Sequence, residues 1–163
     1  MDIRKIYEYA LQREIEGKKF FEDNASRLSH ASAVEVFQLL AGEEQKHINF
    51  IQQRLDLLDH EKSTTGNLKP DLEDPSFFMK RATSEFIQQT TSEAMVPDLP
   101  VLRMAYLIEK DFAEFYEKTA KETTGGAKLV LETLAFWERK HESLFKEIHD
   151  KAFEEYSGMP WGG

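Results

Sequence analysis

The chain has 163 residues, a formal net charge of −9 and a sequence pI near 5.1, with 40% hydrophobic and 31% charged residues, which is material for one core of ordinary size. No window approaches the roughly 18–20 consecutive apolar residues of a membrane span, and the N-terminus, Met1-Asp2-Ile3-Arg4-Lys5, lacks the apolar stretch of a signal peptide, so a cytoplasmic location and no membrane partner are expected. The absence of cysteine excludes disulfides, thiolate zinc sites and cysteine-held iron–sulfur clusters, leaving Glu, Asp and His to hold any metal; the acidic balance argues against a nucleic-acid binder that tracks phosphates with clustered Lys and Arg.

Helix interiors rarely tolerate proline, and the five prolines fall at Pro70, Pro75, Pro97, Pro100 and Pro160. The first long proline-free stretch carries apolar residues at spacings of three and four. It predicts helices over 2–28 and 32–59, broken at Ser29-His30-Ala31-Ser32, where the pattern loses phase and capping residues appear. A connector over 60–98 follows, with a loop through Thr64-Thr65-Gly66-Asn67. Asp74-Pro75 is an N-cap followed by proline at the first helical position, which predicts a short helix over 75–93. Its Phe77, Phe78 and Phe86 need apolar cover, across the bundle or in a subunit contact. Helices over 99–123 and 127–156 complete the set, separated by Thr123-Thr124-Gly125-Gly126, read as the glycine stop that follows a helix C-terminus. Residues 157–163 form a tail without readable structure, and no β signal appears. The expectation is an all-α domain spanning 1–163, built of two helical hairpins joined by a long crossover.

The two hairpins repeat. Shifting 14–25 by 95 positions sets Glu14 on Glu109, Phe20 on Phe115, Phe21 on Tyr116, Glu22 on Glu117 and Ala25 on Ala120. Shifting 37–51 by 94 sets Phe37 on Leu131, Leu40 on Leu134, Ala41 on Ala135, Glu44 on Glu138, Lys46 on Lys140 and His47 on His141.

Each predicted core stripe contains acidic residues where a plain core would have none. Glu14 and Glu109 sit mid-stripe on the first and third helices, while Glu44 with His47, and Glu138 with His141, sit three apart on the second and fourth. That spacing is nearly one helical turn, so each Glu–His pair points one way and can reach one ion or two adjacent ions. At about 1.5 Å per residue, Glu14 and Glu109 lie roughly 21–22 Å, and Glu44 and Glu138 roughly 17–20 Å, from their hairpin loops, so all four carboxylates meet at one level. Such a cluster in an apolar interior costs several kcal/mol per uncompensated ion, and two divalent cations balance four carboxylates. Oxygen-rich ligation with two imidazoles suits iron or manganese rather than structural zinc. The small residues Ala10, Gly17, Ala41, Ala105 and Ala135 leave room for the metals.

One Glu on each of two helices, with Glu-x-x-His on each of the other two, resembles the ferritin-like di-iron carboxylate proteins. Within that group the chain is most similar to rubrerythrin-type proteins. Glu14 followed by Phe20-Phe21, and Glu109 followed by Phe115-Tyr116, match their Glu-to-Phe-Tyr helices. Leu40-Ala41-x-x-Glu44-x-x-His47 and Leu134-Ala135-x-x-Glu138-x-x-His141 match their second helices. The resemblance covers roughly 2–60 and 99–156 and implies a ferritin-like four-helix bundle holding two iron ions, replaceable by manganese or zinc. It implies that Glu44 and Glu138 bridge the metals, that Glu14 and Glu109 each cap one, and that His47 and His141 each complete one coordination sphere, with Tyr116 close outside. The four glutamates would be the catalytic residues of a peroxidase that reduces hydrogen peroxide or dioxygen, in oxidative-stress defence and as a homodimer.

Two departures stand out. Rubrerythrins proper usually carry a C-terminal rubredoxin domain with four cysteines; without cysteine, this chain would take electrons from a separate donor such as a rubredoxin. They also typically carry a further Glu one turn after the third-helix ligand, where this chain has Phe112. The same residues admit two other readings, a ferroxidase or iron-handling protein and a metal-free helical interaction module. The metal-free reading requires a buried ion-pair network, yet Lys and Arg do not fall on these faces. His30, His60 and His149 are expected at helix ends or on exposed faces. Glu16, Asp111 and Glu114 are expected on solvated flanks, with Glu114 the one that could approach as an outer ligand. Phe20, Phe115, Trp137 and Phe145 are expected to pack the core or an interface, and the Glu43-to-Lys46 and Glu138-to-Lys140 runs to form polar faces.

Overall fold

A computed structural model describes residues 2–60, 97–158 and 160. Four helices fill them: α1 Ile3–Ala25, α2 Ala31–His60, α3 Leu99–Lys121 and α4 Gly125–Gly158. There is no strand among the described residues, and no helix there is long and apolar enough to cross a membrane. The described helices form a four-helix bundle, the helices falling where the spacing predicts and the ferritin-like architecture being the one the resemblance implies. α1 packs chiefly on α2 and α3 chiefly on α4. The expected helix over 75–93 lies outside the described residues.

Local chemistry explains the boundaries. Asp2 opens α1, its carboxylate accepting the Lys5 N–H at 3.3 Å, and Arg4 pairs with Asp59 across the hairpin. α1 stops at Ala25, three residues earlier than predicted, and Leu28 is buried from the loop rather than from the helix. The capping chemistry expected within Ser29–Ser32 comes instead from a residue distant in sequence. Buried Asp98 accepts the backbone N–H groups of Ser29 at 2.8 Å and His30 at 3.0 Å, so the residue preceding α3 caps the start of α2. Pro100 stands in the first turn of α3, where its missing N–H costs nothing.

The glycine pair does not stop α3. That helix ends at Lys121, where the N–H groups of Glu122 and Thr123 bond the carbonyls of Thr119 and Ala120. Gly125, with φ +65°, instead opens α4, in a left-handed backbone that a side chain would resist. α4 also takes in Ser157 and Gly158, the first two residues of the segment read as a tail.

Two apolar layers divide the interior. One gathers Phe21, Phe37, Leu40, Leu102, Phe145 and Ile148 with their neighbours. Phe21 stacks on Phe145 at 5.6 Å, and Phe37 meets both rings edge-on at 5.3 and 5.6 Å; such pairs contribute about 0.5–1.5 kcal/mol each beyond their burial. The other gathers Tyr7, Ile51, Tyr116, Leu131, Leu134 and Trp137 with their neighbours. The predicted carboxylates lie between these layers, all four glutamates at 0% exposure.

Candidate metal centre

The duplicated hairpin brings all six predicted ligands together. His47 Nδ1 lies 3.1 Å from Glu14 Oε2, 2.9 Å from Glu138 Oε1 and 3.6 Å from Glu44 Oε2. His141 Nδ1 lies 3.4 Å from Glu109 Oε2, 3.4 Å from Glu138 Oε2 and 3.5 Å from Glu44 Oε1. Two sets of groups that could hold a metal result, Glu14, Glu44, His47 and Glu138, and Glu44, Glu109, Glu138 and His141. Within each set the ligand atoms all lie within 4.8 Å of one another, and Glu44 and Glu138 belong to both.

The polar atoms fit a metal better than they fit each other. Both carboxylate oxygens of Glu44, Glu109 and Glu138 and both ring nitrogens of His141 are buried without a hydrogen-bond partner. Buried polar atoms are normally satisfied, and leaving one unpaired costs about 1–3 kcal/mol. Cations would satisfy this set, and no Lys or Arg pairs with any of these six residues among the described residues. Glu14 is the better-anchored carboxylate, accepting the Tyr116 O–H and lying against His47.

The electrostatics of the metal-free site follow from burial and crowding. Burial raises the Glu14 carboxyl well above its usual range, and the charges of Glu138 and Glu44 add to that. Burial likewise raises Glu109, with Glu138 and Glu44 reinforcing it against His141. Burial would raise Glu44 and Glu138 too, but the two imidazoles outweigh it and hold both below the ordinary carboxylate range. Burial opposes charge on the imidazoles, yet Glu138 and Glu44 raise His47 well above the usual value, and Glu109 with Glu138 and Glu44 does the same for His141. The Tyr116 phenol is pushed up by burial and by Glu14. In the metal-free site Glu14, Glu109, His47 and His141 thus hold their protons more tightly than usual, and Glu44 and Glu138 less tightly.

The surrounding positions depart from expectation in places. Glu114 is exposed beside Lys110 at 3.8 Å and does not approach the centre, and Glu16 and Asp111 are also exposed. His60 is exposed at the end of α2, and His149 lies partly buried beside Asp150 at 3.4 Å. Glu43, read as part of a polar face, is buried and takes Lys46 Nζ at 2.7 Å. Phe112 packs across α1: a Cβ built on Gly17 would fall 2.9 Å from Phe112 Cε2 and 3.6 Å from Glu44 Oε2. The absence of a side chain at Gly17 therefore admits the Phe112 ring beside the carboxylates. The Arg13 guanidinium covers that ring from outside, 4.5 Å from its centroid. The stacking of Trp137 on His47, at 4.8 Å and 12°, was not signalled by spacing, since Trp137 reads as ordinary packing.

Fold and site together define a ferritin-like bundle with a carboxylate-rich candidate metal centre at mid-depth. The Rubrerythrin family model matches residues 5–149, and the chain belongs to that family. No curated protein and no solved structure matches the chain significantly.

Proposed function

We propose that the chain is a di-iron carboxylate redox protein of rubrerythrin type that reduces hydrogen peroxide or dioxygen with electrons from a separate one-electron donor. The observation that carries this reading is the pair of ligand sets sharing Glu44 and Glu138. In this reading Glu44 and Glu138 would be shared between two ions, Glu14 with His47 would hold one of them, and Glu109 with His141 would hold the other. Two ferrous ions would supply the two electrons that, with two protons, convert hydrogen peroxide to two waters. The chain's own groups hold the ions, keep bulk water out between two apolar layers, and fix Glu14 through the Tyr116 hydroxyl.

Phe112 supports a second reading. Its ring, rather than a further carboxylate, stands beside Glu44, so a ferroxidase or iron-handling role would use the same six ligands without an additional oxygen donor.

The test is iron content per chain after anaerobic Fe(II) loading and desalting. About two irons per wild-type chain are expected, with stoichiometric binding lost in Glu44→Ala and Glu138→Ala while far-UV circular dichroism stays helical. No retained metal in the wild type would refute the centre, and two tightly held metals in either variant would refute the bridging assignment. Peroxide consumption with reduced rubredoxin then separates the peroxidase from the ferroxidase.

A further inference from the structure

The two halves of the duplicated hairpin differ beside the histidines. The shift of 94 that sets His47 on His141 also sets Glu43 on Trp137, so an indole appears on one side of the centre only. Its ring lies nearly parallel to the His47 imidazole, with centroids 4.8 Å apart and 12° between the planes. His47 in turn stacks on His141 at 5.3 Å and 12°. Trp137 also meets Phe50 edge-on at 5.2 Å, and the Arg54 guanidinium covers Phe50 at 4.8 Å. Exposure rises along this series, from 1% at His141 and 2% at His47 to 8% at Trp137 and 9% at Phe50. Among the described residues, it is a run of ring contacts from both imidazoles outward to Trp137 and Phe50, between α2 and α4.

We propose that Trp137 conducts single electrons between a one-electron protein carrier at the α2–α4 surface and the metal held by His47. This inference rests on the metal-centre reading above. A protein carrier cannot enter the bundle, and electron tunnelling weakens steeply across each non-bonded gap, so rings in contact between surface and ligand favour delivery. Trp137 supplies that contact with a polarisable π system laid flat on a ligand ring. Packing alone does not demand an indole at this position, since its repeat partner Glu43 fills the equivalent place with a carboxylate and a lysine partner. The step balances as two successive transfers: two carriers each lose one electron, and the oxidised metal pair passes from two trivalent to two divalent ions.

The experiment uses the full chain in a Trp161→Phe background, which leaves Trp137 as the one indole of the two in the sequence. Metal content, melting temperature and Trp137 emission are measured with and without Fe(II). After oxidation of the loaded protein, the rate at which reduced rubredoxin restores the ferrous state is followed by stopped flow without peroxide. Trp137 emission should be quenched on loading. Trp137→Leu should keep its metal but accept electrons about tenfold more slowly or worse, the scale on which partners of metal ligands act. Trp137→Phe, which keeps a stacked ring, should retain most of the wild-type rate. Unquenched emission in loaded protein would overturn the proposal, as would a metal-filled Trp137→Leu that is reduced as fast as wild type. Leu and Phe variants slowed equally would assign Trp137 to packing and overturn it too. If Trp137→Leu does not fold, the quenching and the Phe variant decide. Wild-type chain that binds no metal would sink the metal-centre reading itself, a result distinct from all of these.

Discussion

Metal loading should expel protons in a number fixed by the buried cluster. In the metal-free chain Glu14, Glu109, His47 and His141 are shifted toward their protonated forms, while Glu44 and Glu138 are shifted toward the carboxylate. A cluster carrying one proton on each of those four groups is neutral. Two divalent cations with four carboxylates and two neutral imidazoles are neutral as well, so filling a site that carries those protons should displace up to four, two from the carboxyls and two from the rings. Each proton changes the binding free energy by about 1.36 kcal/mol per pH unit, so loading of the pair should strengthen by about 5 kcal/mol per unit while all four protons are in place. Isothermal titration of Fe(II) or Co(II) at pH 6, in two buffers of different ionisation enthalpy, counts the protons directly. Glu14→Gln should release one fewer. Release near zero, or affinity independent of pH, would refute the charge assignment and with it the account of how six ionisable groups share one dry layer.

Gly17→Ala places a methyl 2.9 Å from the Phe112 ring; overpacking of about 1–3 kcal/mol, offset by up to about 1 kcal/mol of helix propensity, should lower the melting temperature by about 2–4 °C. In a Phe112→Leu background the same change should raise it, and a decrease in both backgrounds would show that the ring is not the obstacle. Asp98→Ala removes two charge-assisted bonds to the α2 terminus and should cost about 2 kcal/mol, or about 4–8 °C by calorimetry, without loss of bound metal; an unchanged melting temperature would deny the cap. The stability of the metal-free chain should decline as pH rises. His47, His141, Glu14 and Glu109 bind protons more tightly folded than unfolded, so stability present below their unfolded values, about 6.5 for His and 4.3 for Glu, is lost as pH climbs through the folded values. Glu44 and Glu138 have the opposite sign, but theirs is already in place above about pH 4.3. Melting temperatures with chelator should therefore fall above pH 6.5 while those of loaded protein stay level; a rise with chelator would contradict the assigned protonation states.

The four helices and six candidate ligands were legible because both are periodic signals. Apolar stripes at three and four residues define the helices, and Glu and His intrude on those stripes at matched depths in two copies. The boundaries were less legible because distant residues settle them. Asp98 caps a helix 68 positions upstream of it, and the Gly125-Gly126 pair serves the helix that follows rather than the one before. Glu43 read as solvated because it stands in a charged run, yet α2 is buried over much of its circumference at this level, with Ala41, Glu43, Glu44 and His47 all inside. A helix that carries part of a bundle's interior site loses the clean division of faces on which amphipathic patterns depend.

The duplication was most informative where it fails. Gly17 and Phe112 are partners under the shift of 95, and across the bundle the space left by one receives the ring of the other. Phe21 and Tyr116 are also partners, and only Tyr116 carries a hydroxyl, which it gives to Glu14. Glu109 has no such donor, and both its oxygens lack a hydrogen bond. The sequence repeat makes the two ligand sets equal in kind, while these substitutions make their surroundings unequal. The Glu14–His47 side has a fixed carboxylate and a stacked indole; the Glu109–His141 side has neither. Two ions bound there would differ in affinity and in electronic contact with the surface although their first ligands match, so half-loaded protein should hold its metal preferentially on the side where Tyr116 already orients a ligand. Tyr116→Phe removes that advantage while leaving the repeat partner's phenylalanine in both halves. The variant should bind its first metal more weakly and its second with little change, and two equal losses would show that the asymmetry of the shell does not reach the ions.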